Sequence, residues 1–180
     1  MHFKPSSTLP EVVVIEPDIF EDDRGFFTEI YHFKKFEEAG ITCNFVQDNR
    51  SRSRRGVLRG LHYQIGKPQG KLLWVLSGEI FDVSVDIRRG SPTFGKWFGI
   101  ILSEENKRGL YIPPNFAHGF CVLSQEADCV YECTDFYSPD HERCIRWNDP
   151  DLAIDWPVKN PIVSEKDGTS PLLKDAELPP

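Results

Sequence analysis

Several features are scarce in this sequence, and each scarcity excludes a class of protein. No pair of cysteines has C-x-x-C spacing. Cys43, Cys121, Cys129, Cys133 and Cys144 are odd in number, and Cys129 and Cys133, four apart, have no second such pair to complete a zinc site. They read as reduced thiols used as small apolar groups in a cytoplasmic protein. No apolar run approaches the roughly 18 residues of a spanning helix, so no membrane partner is expected. The start, Met1-His2-Phe3-Lys4-Pro5, lacks the apolar centre of a secretory signal. Positive charge is in deficit: the formal net charge of −7 argues against nucleic acid as a partner. Internal repeats and low-complexity tracts are missing as well.

What is present is enough for one domain with a real core, since the chain has 180 residues. One basic run, Arg50-Ser51-Arg52-Ser53-Arg54-Arg55, departs from the acidic trend. It reads as a solvated loop, with attraction of a small anion to a nearby mouth as the alternative.

Short strands dominate. Glu11 to Glu16 is a β-branched run stopped by Pro17, Glu21 to Gly25 is a turn, and Phe26 to Tyr31 is a second strand. Phe33 to Ala39 predicts a helix with Phe33 and Phe36 on one face and Gly40 as its stop. Phe81 to Arg88 alternates apolar odd with polar even positions, the pattern of a half-buried strand. Further strands are expected at Trp97 to Leu102, Leu110 to Ile112, Gly119 to Leu123 and Cys129 to Tyr137, with Ser124 to Asp128 as a hairpin loop. Seven prolines, at 139, 150, 157, 161, 171, 179 and 180, punctuate the tail. Residues 138–180 therefore read as a segment wrapping the domain, with one helical turn at Asp149-Pro150-Asp151-Leu152. Together these predict an all-β sandwich or small barrel of jelly-roll type holding a ligand inside.

The central stretch is Val57-Leu58-Arg59-Gly60-Leu61-His62-Tyr63-Gln64, followed by Gln69-Gly70-Lys71. Three polar donors converge on apolar strands there, and buried charge needs a partner, which a ligand can be. Arg59-Gly60-Leu61-His62-Tyr63-Gln64, Gln69-Gly70-Lys71, Gly78 to Val83 and Ile112 to Phe120 closely resemble the dTDP-4-dehydrorhamnose 3,5-epimerase family. Phe45-Val46-Gln47-Asp48-Asn49 and Ser164-Glu165-Lys166-Asp167 belong to the same pattern, in order along nearly the whole chain. The resemblance implies a cupin jelly roll with a few short helices. It also implies a homodimer exchanging N-terminal strands within residues 1–31, and no metal or organic cofactor. Metal-binding cupins carry H-x-H, whereas here Gln64 stands where the second histidine would be, leaving His62 and His118 without a suitable carboxylate.

Epimerisation beside a ketone needs a base, a group to hold the enolate, and an acid on the opposite face. His62 suits the base, because a free imidazole titrates near pH 6.5. The resemblance assigns Asp167 to orient it; by sequence alone Asp167-Gly168 is a turn pair. Lys71 suits the enolate, although a strand-end lysine reaching water is the plainer reading. The resemblance makes Tyr131 the acid, and strand alternation puts Tyr131, Cys133, Asp135 and Tyr137 on one face, so that Tyr137 can stack on the thymine. Arg59 and then Arg24 are the arginines expected on the diphosphate. The resemblance adds Glu29, Gln47, Asp48, Asn49, His118, Glu142 and Lys166 to the substrate shell, with Asp82 as a partner for His118. One difficulty stands: Arg59 and His62 are an odd number apart and face opposite ways on a regular strand, unless a bulge or a strand start lies near Gly60.

The reading is double epimerisation of a dTDP-linked 4-keto-6-deoxy sugar. A relative acting at C3 or C5 only, a nucleotide-sugar-binding cupin without turnover, and a metal-dependent cupin oxygenase are the alternatives.

Overall fold

The chain's β-branched and aromatic runs form the strands of a two-sheet sandwich in the computed structural model, which describes residues 1–179; Pro180, last of the tail prolines, lies outside the described residues. In chain order the elements are β1 (His2–Pro5), β2 (Val13–Glu16), β3 (Ile19–Asp22), β4 (Gly25–Thr28), α1 (Phe33–Glu38), β5 (Gln47–Arg54) and β6 (Leu58–Gln64). There follow β7 (Lys71–Ser77), β8 (Glu79–Asp86), β9 (Trp97–Ser103), β10 (Gly109–Ile112), β11 (Phe116–Val122), β12 (Glu126–Cys133), β13 (Glu142–Cys144) and α2 (Glu165–Thr169). One sheet runs β1-β2-β10-β7-β12-β5 and the other β13-β6-β11-β8-β9, while β3 and β4 pair only with each other. All these pairings are antiparallel. This is the all-β, cupin-type jelly roll expected.

Three apolar layers hold it together. Between the sheets, Leu73, Val75, Ile80, Ile112, Phe120 and Val122 are buried. Outside the five-stranded sheet, the tail lays Ile145, Leu152, Trp156 and Leu173 over Leu61, Val83, Val85 and Ala117. Outside the six-stranded sheet, Phe36 of α1 packs with Ile15, Leu72 and Trp74. Each such side chain contributes about 1.5–3 kcal/mol by leaving water.

The strands depart from expectation in instructive ways. β8 is not half-buried: its polar even positions Asp82, Ser84 and Asp86 are as fully enclosed as its apolar ones. They face the sandwich interior, where Asp86 is held by Arg88, Ser91 and Thr93. The basic run is not a loop but the edge strand β5. Arg50 Nε and Arg52 Nη2 donate to the Asp128 carboxylate at 2.9 and 2.7 Å, which binds β5 to β12. Asp128 is thus already in β12, and the hairpin loop is shorter than Ser124 to Asp128. β12 in turn stops at Cys133; at the next residue the Thr134 hydroxyl accepts from Gly70 N at 2.7 Å, a side-chain bond in place of a ladder bond. Asp149 to Leu152 forms a single turn, capped by Asp149 Oδ1 accepting from Asp151 N and Leu152 N. β1, unforeseen, pairs with β2 along His2↔Glu16 to Pro5↔Val13. No helix among the described residues is long and apolar enough to cross a membrane.

Candidate active site

The site is built around an irregularity in β6. His118 of β11 lies opposite His62, but Phe120 lies opposite Arg59, so three steps on β6 match two on β11. That extra residue is a bulge, and it reverses the side-chain parity between Arg59 and His62. Both side chains consequently line one cavity. Gly60 makes the bulge possible. Its φ is +120°, and a Cβ there would sit 2.6 Å from both Gly119 Cα and His118 O, so only glycine fits.

Two cavities meet at His62 and Glu142. The first, about 300 Å³, opens between the sheets and is lined by Gln47 and Asn49 of β5, His62 and Gln64 of β6, Lys71 of β7, Tyr131 and Cys133 of β12, and the following Tyr137. The second, about 380 Å³, is lined by Arg59, Ser164, Lys166 and Asp167 on the other side of the imidazole. Glu142 braces the boundary: it accepts from the Tyr137 hydroxyl at 2.8 Å and pairs with Lys166.

His62 Nε2 lies 2.7 Å from Asp167 Oδ1, which makes the ring a donor there and leaves Nδ1 without a partner among the described residues. Burial acts against the Asp167 carboxylate, but the hydrogen bond and charge of His62, helped by the Gly60 N–H, hold its pKa below the ordinary value. Burial lowers the pKa of Lys71, with Cys133, Asp82 and Glu142 pulling the other way. No carboxylate among the described residues pairs with it. Burial raises the pKa of the Tyr131 phenol, which therefore keeps its proton. An imidazole, a lysine with no carboxylate partner among the described residues and a protonated phenol thus share one cavity. Those are the parts that proton transfer next to a carbonyl requires.

The family model described as dTDP-4-dehydrorhamnose 3,5-epimerase matches residues 6–175. The chain belongs to this epimerase family. The dTDP-4-dehydrorhamnose 3,5-epimerase of Pseudomonas aeruginosa is 59% identical over 174 residues, covering 96% of each chain. The crystal structure of dTDP-6-deoxy-D-glucose-3,5-epimerase RmlC from Legionella pneumophila, in complex with dTDP-4-keto-L-rhamnose, superposes with a TM-score of 0.95 at 54% identity, covering 99% of this chain and 97% of that one. ChmJ, a 3′-monoepimerase from Streptomyces bikiniensis in complex with dTDP-quinovose, gives a TM-score of 0.91 at 34% identity, covering 98% and 92%.

Of the residues named from sequence, this member of the epimerase family brings His62, Lys71, Tyr131, Tyr137, Gln47, Asn49 and Glu142 to the first cavity. Arg59, Lys166 and Asp167 line the second. His118 is buried behind them, its Nε2 2.7 Å from Asp82 Oδ2, and burial lowers its pKa against the pull of Asp82. Asp48 points outward on β5, and Asp135 uses its carboxylate to cap Phe136 N. Arg24 sits at the tip of the β3–β4 hairpin paired with Asp22, and Glu29 pairs with Lys35; neither lines the two cavities that meet at His62.

Gln64 was noticed in the sequence only as the residue in a metal ligand's place. Its amide is engaged with backbone on both sides: Nε2 donates to Lys67 O and Oε1 accepts from Ser138 N, each at 2.8 Å. With Gln47 Oε1 accepting from Tyr137 N at 2.8 Å, one glutamine from each sheet holds the Tyr137 loop. The period of two from His62 to Gln64 was the available signal. Cys144, whose thiol lies 3.8 Å from Asp167 Oδ1, gave no signal at all.

Proposed function

We propose that the protein inverts C3 and C5 of dTDP-4-dehydro-6-deoxy-D-glucose, giving dTDP-4-dehydro-L-rhamnose on the route to dTDP-L-rhamnose. It is an isomerase. The observation that carries the mechanism is the His62–Asp167 pair at 2.7 Å, opening on a cavity that also holds Tyr131 and Lys71. His62 Nδ1 takes the proton from the carbon beside the C4 ketone while Asp167 stabilises the imidazolium. The Lys71 ammonium faces the enolate oxygen, and the Tyr131 hydroxyl returns a proton from the other side. A C4 carbonyl acidifies both C3 and C5, so one base serves both positions without a metal or organic cofactor. Tyr137 stacks on the thymine, Gln47 and Asn49 meet its polar edge, and Arg59 and Lys166 take the diphosphate.

The partner-facing part of this reading is a homodimer. Phe20, Phe26 and Phe27 of the lone β3–β4 hairpin are 63%, 59% and 69% exposed, a larger apolar display than a monomer tolerates comfortably. Docking that hairpin on a second copy would bring Arg24 and Glu29 to the partner's site. A nucleotide-sugar substrate and five free thiols suit the cytoplasm.

The test is turnover in deuterated water followed by NMR. Deuterium at both C3 and C5 is expected. Label at one carbon alone would make the protein a monoepimerase, and no label would make it a binding protein. His62→Ala should lose at least about 10²-fold of the exchange rate and still bind the nucleotide.

A further inference from the structure

Beneath the base, three separate segments converge on one point. His62 of β6 and Cys144 of β13 are directly opposed partners in adjacent strands. The turn of α2 brings Asp167 onto the same spot, with Oδ1 2.7 Å from His62 Nε2 and 3.8 Å from Cys144 Sγ. The imidazole, thiol and carboxylate donor atoms all lie within 4.8 Å of one another. Zinc bonds of about 2.0–2.3 Å in a tetrahedron place ligand atoms roughly 3.3–3.8 Å apart, so shifts of about an ångström or less would close this trio on an ion.

We propose that His62, Cys144 and Asp167 form a three-ligand site for a soft divalent cation such as zinc, and that occupancy switches the epimerase off. The inhibitory part rests on His62 being the base. An N, S, O donor set favours zinc over magnesium or calcium, which prefer oxygen alone. His62 and Asp167 both line the second cavity, which supplies an entry route and a water ligand. Glu142 is paired with Lys166, and Arg59 is turned to Ser53 Oγ at 3.0 Å. The thiolate and Asp167 then neutralise the ion.

Binding releases one proton, from the Cys144 thiol. The ring proton leaves Nε2, now bonded to metal, and settles on Nδ1. The nitrogen that accepts the substrate's proton is thereby blocked, while the nucleotide subsites are untouched. The site would act as a metal-sensitive brake on turnover and not as a cofactor site.

Full-length protein stripped with chelator and titrated with cobalt(II) should develop a near-ultraviolet thiolate-to-cobalt charge-transfer band, which zinc then displaces. Cys144→Ser and Cys144→Ala should both lose the band. Zinc should inhibit solvent exchange by the wild type, and Cys144→Ala should need more than about tenfold more zinc, each protein referred to its own metal-free rate. No band in the wild type, or equal zinc sensitivity of wild type and Cys144→Ala, overturns the proposal. Should both variants fail to fold, the wild-type spectrum still decides. A band in a protein without epimerase activity would sink the catalytic reading and leave the metal site standing.

Discussion

Asp167 is 3% exposed, yet in the sequence Asp167-Gly168 looks like any turn. Its burial comes from β6 and β13, both far away in the chain, and no local pattern announces that. Instead Ser164 caps α2 by accepting from Asp167 N at 3.1 Å, which fixes the carboxylate's approach to His62. Asp167→Asn keeps the shape and removes the charge, so solvent exchange at the substrate should fall about 10²–10⁴-fold with little change in nucleotide binding. The same pair makes a pH signature. The folded pKa of Asp167 is depressed, so its stabilisation is complete above the unfolded carboxyl value near 4 and fades as pH drops through the folded value. Urea midpoints of wild type and Asp167→Asn should therefore differ near neutrality and converge in acid. His62 was legible by residue type within an apolar strand, whereas Lys71 read more plainly as a strand-end lysine and Tyr131 came from the family resemblance. Cys144 was not legible, because its role depends on what packs over it.

At the level of elements, periodicity identified most strands but misjudged what covers them. β8 alternates as a half-solvated strand should, yet its polar face meets a polar interior; a period of two cannot distinguish water from buried carboxylates. The basic run hid β5, since its pairing depends on Asp128 some 78 residues further on. The parity of Arg59 and His62 calls for a bulge or a strand start near Gly60 if both are to line one pocket, and β6 has the bulge. Gly60→Ala forces a Cβ against β11 at positive φ, and should lower stability by more than about 2 kcal/mol, measured as a drop in denaturant midpoint. The loop that carries Tyr137 depends on the two glutamines. Gln64→Leu strands the Ser138 N–H and frees the loop, so KM for the nucleotide sugar should rise several-fold while kcat changes less. An equal loss in kcat alone would show that Gln64 does not act through Tyr137.

For the molecule as a whole, the sandwich and its ligand cavity were readable from strand spacing and from the family resemblance. Where the N-terminal strands lie was less so: β1 and β2 belong to the chain's own six-stranded sheet, and only the β3–β4 hairpin stands apart. A single sequence does not say which surfaces meet a second copy, because exposure to water and exposure to a partner leave the same residues on the outside. Phe26→Ser combined with Phe27→Ser should convert a dimer to a monomer in light scattering and reduce exchange at the substrate, since Arg24 and Glu29 would no longer reach a neighbouring cavity. A variant with the wild-type mass and rate would remove the hairpin from the assembly.

The rim of the six-stranded sheet carries its own safeguard. Along β5 the outward positions are Arg50, Arg52 and Arg54, and Asp128 clamps the first two so that they cannot swing aside. An unpaired rim is a template on which further chains can grow into fibrils. Here any incoming copy in antiparallel register would lay guanidinium against guanidinium, and the repulsion would stop the stack at its first rung. The feature that disguised a strand as a loop also disfavours edge-to-edge pairing through it.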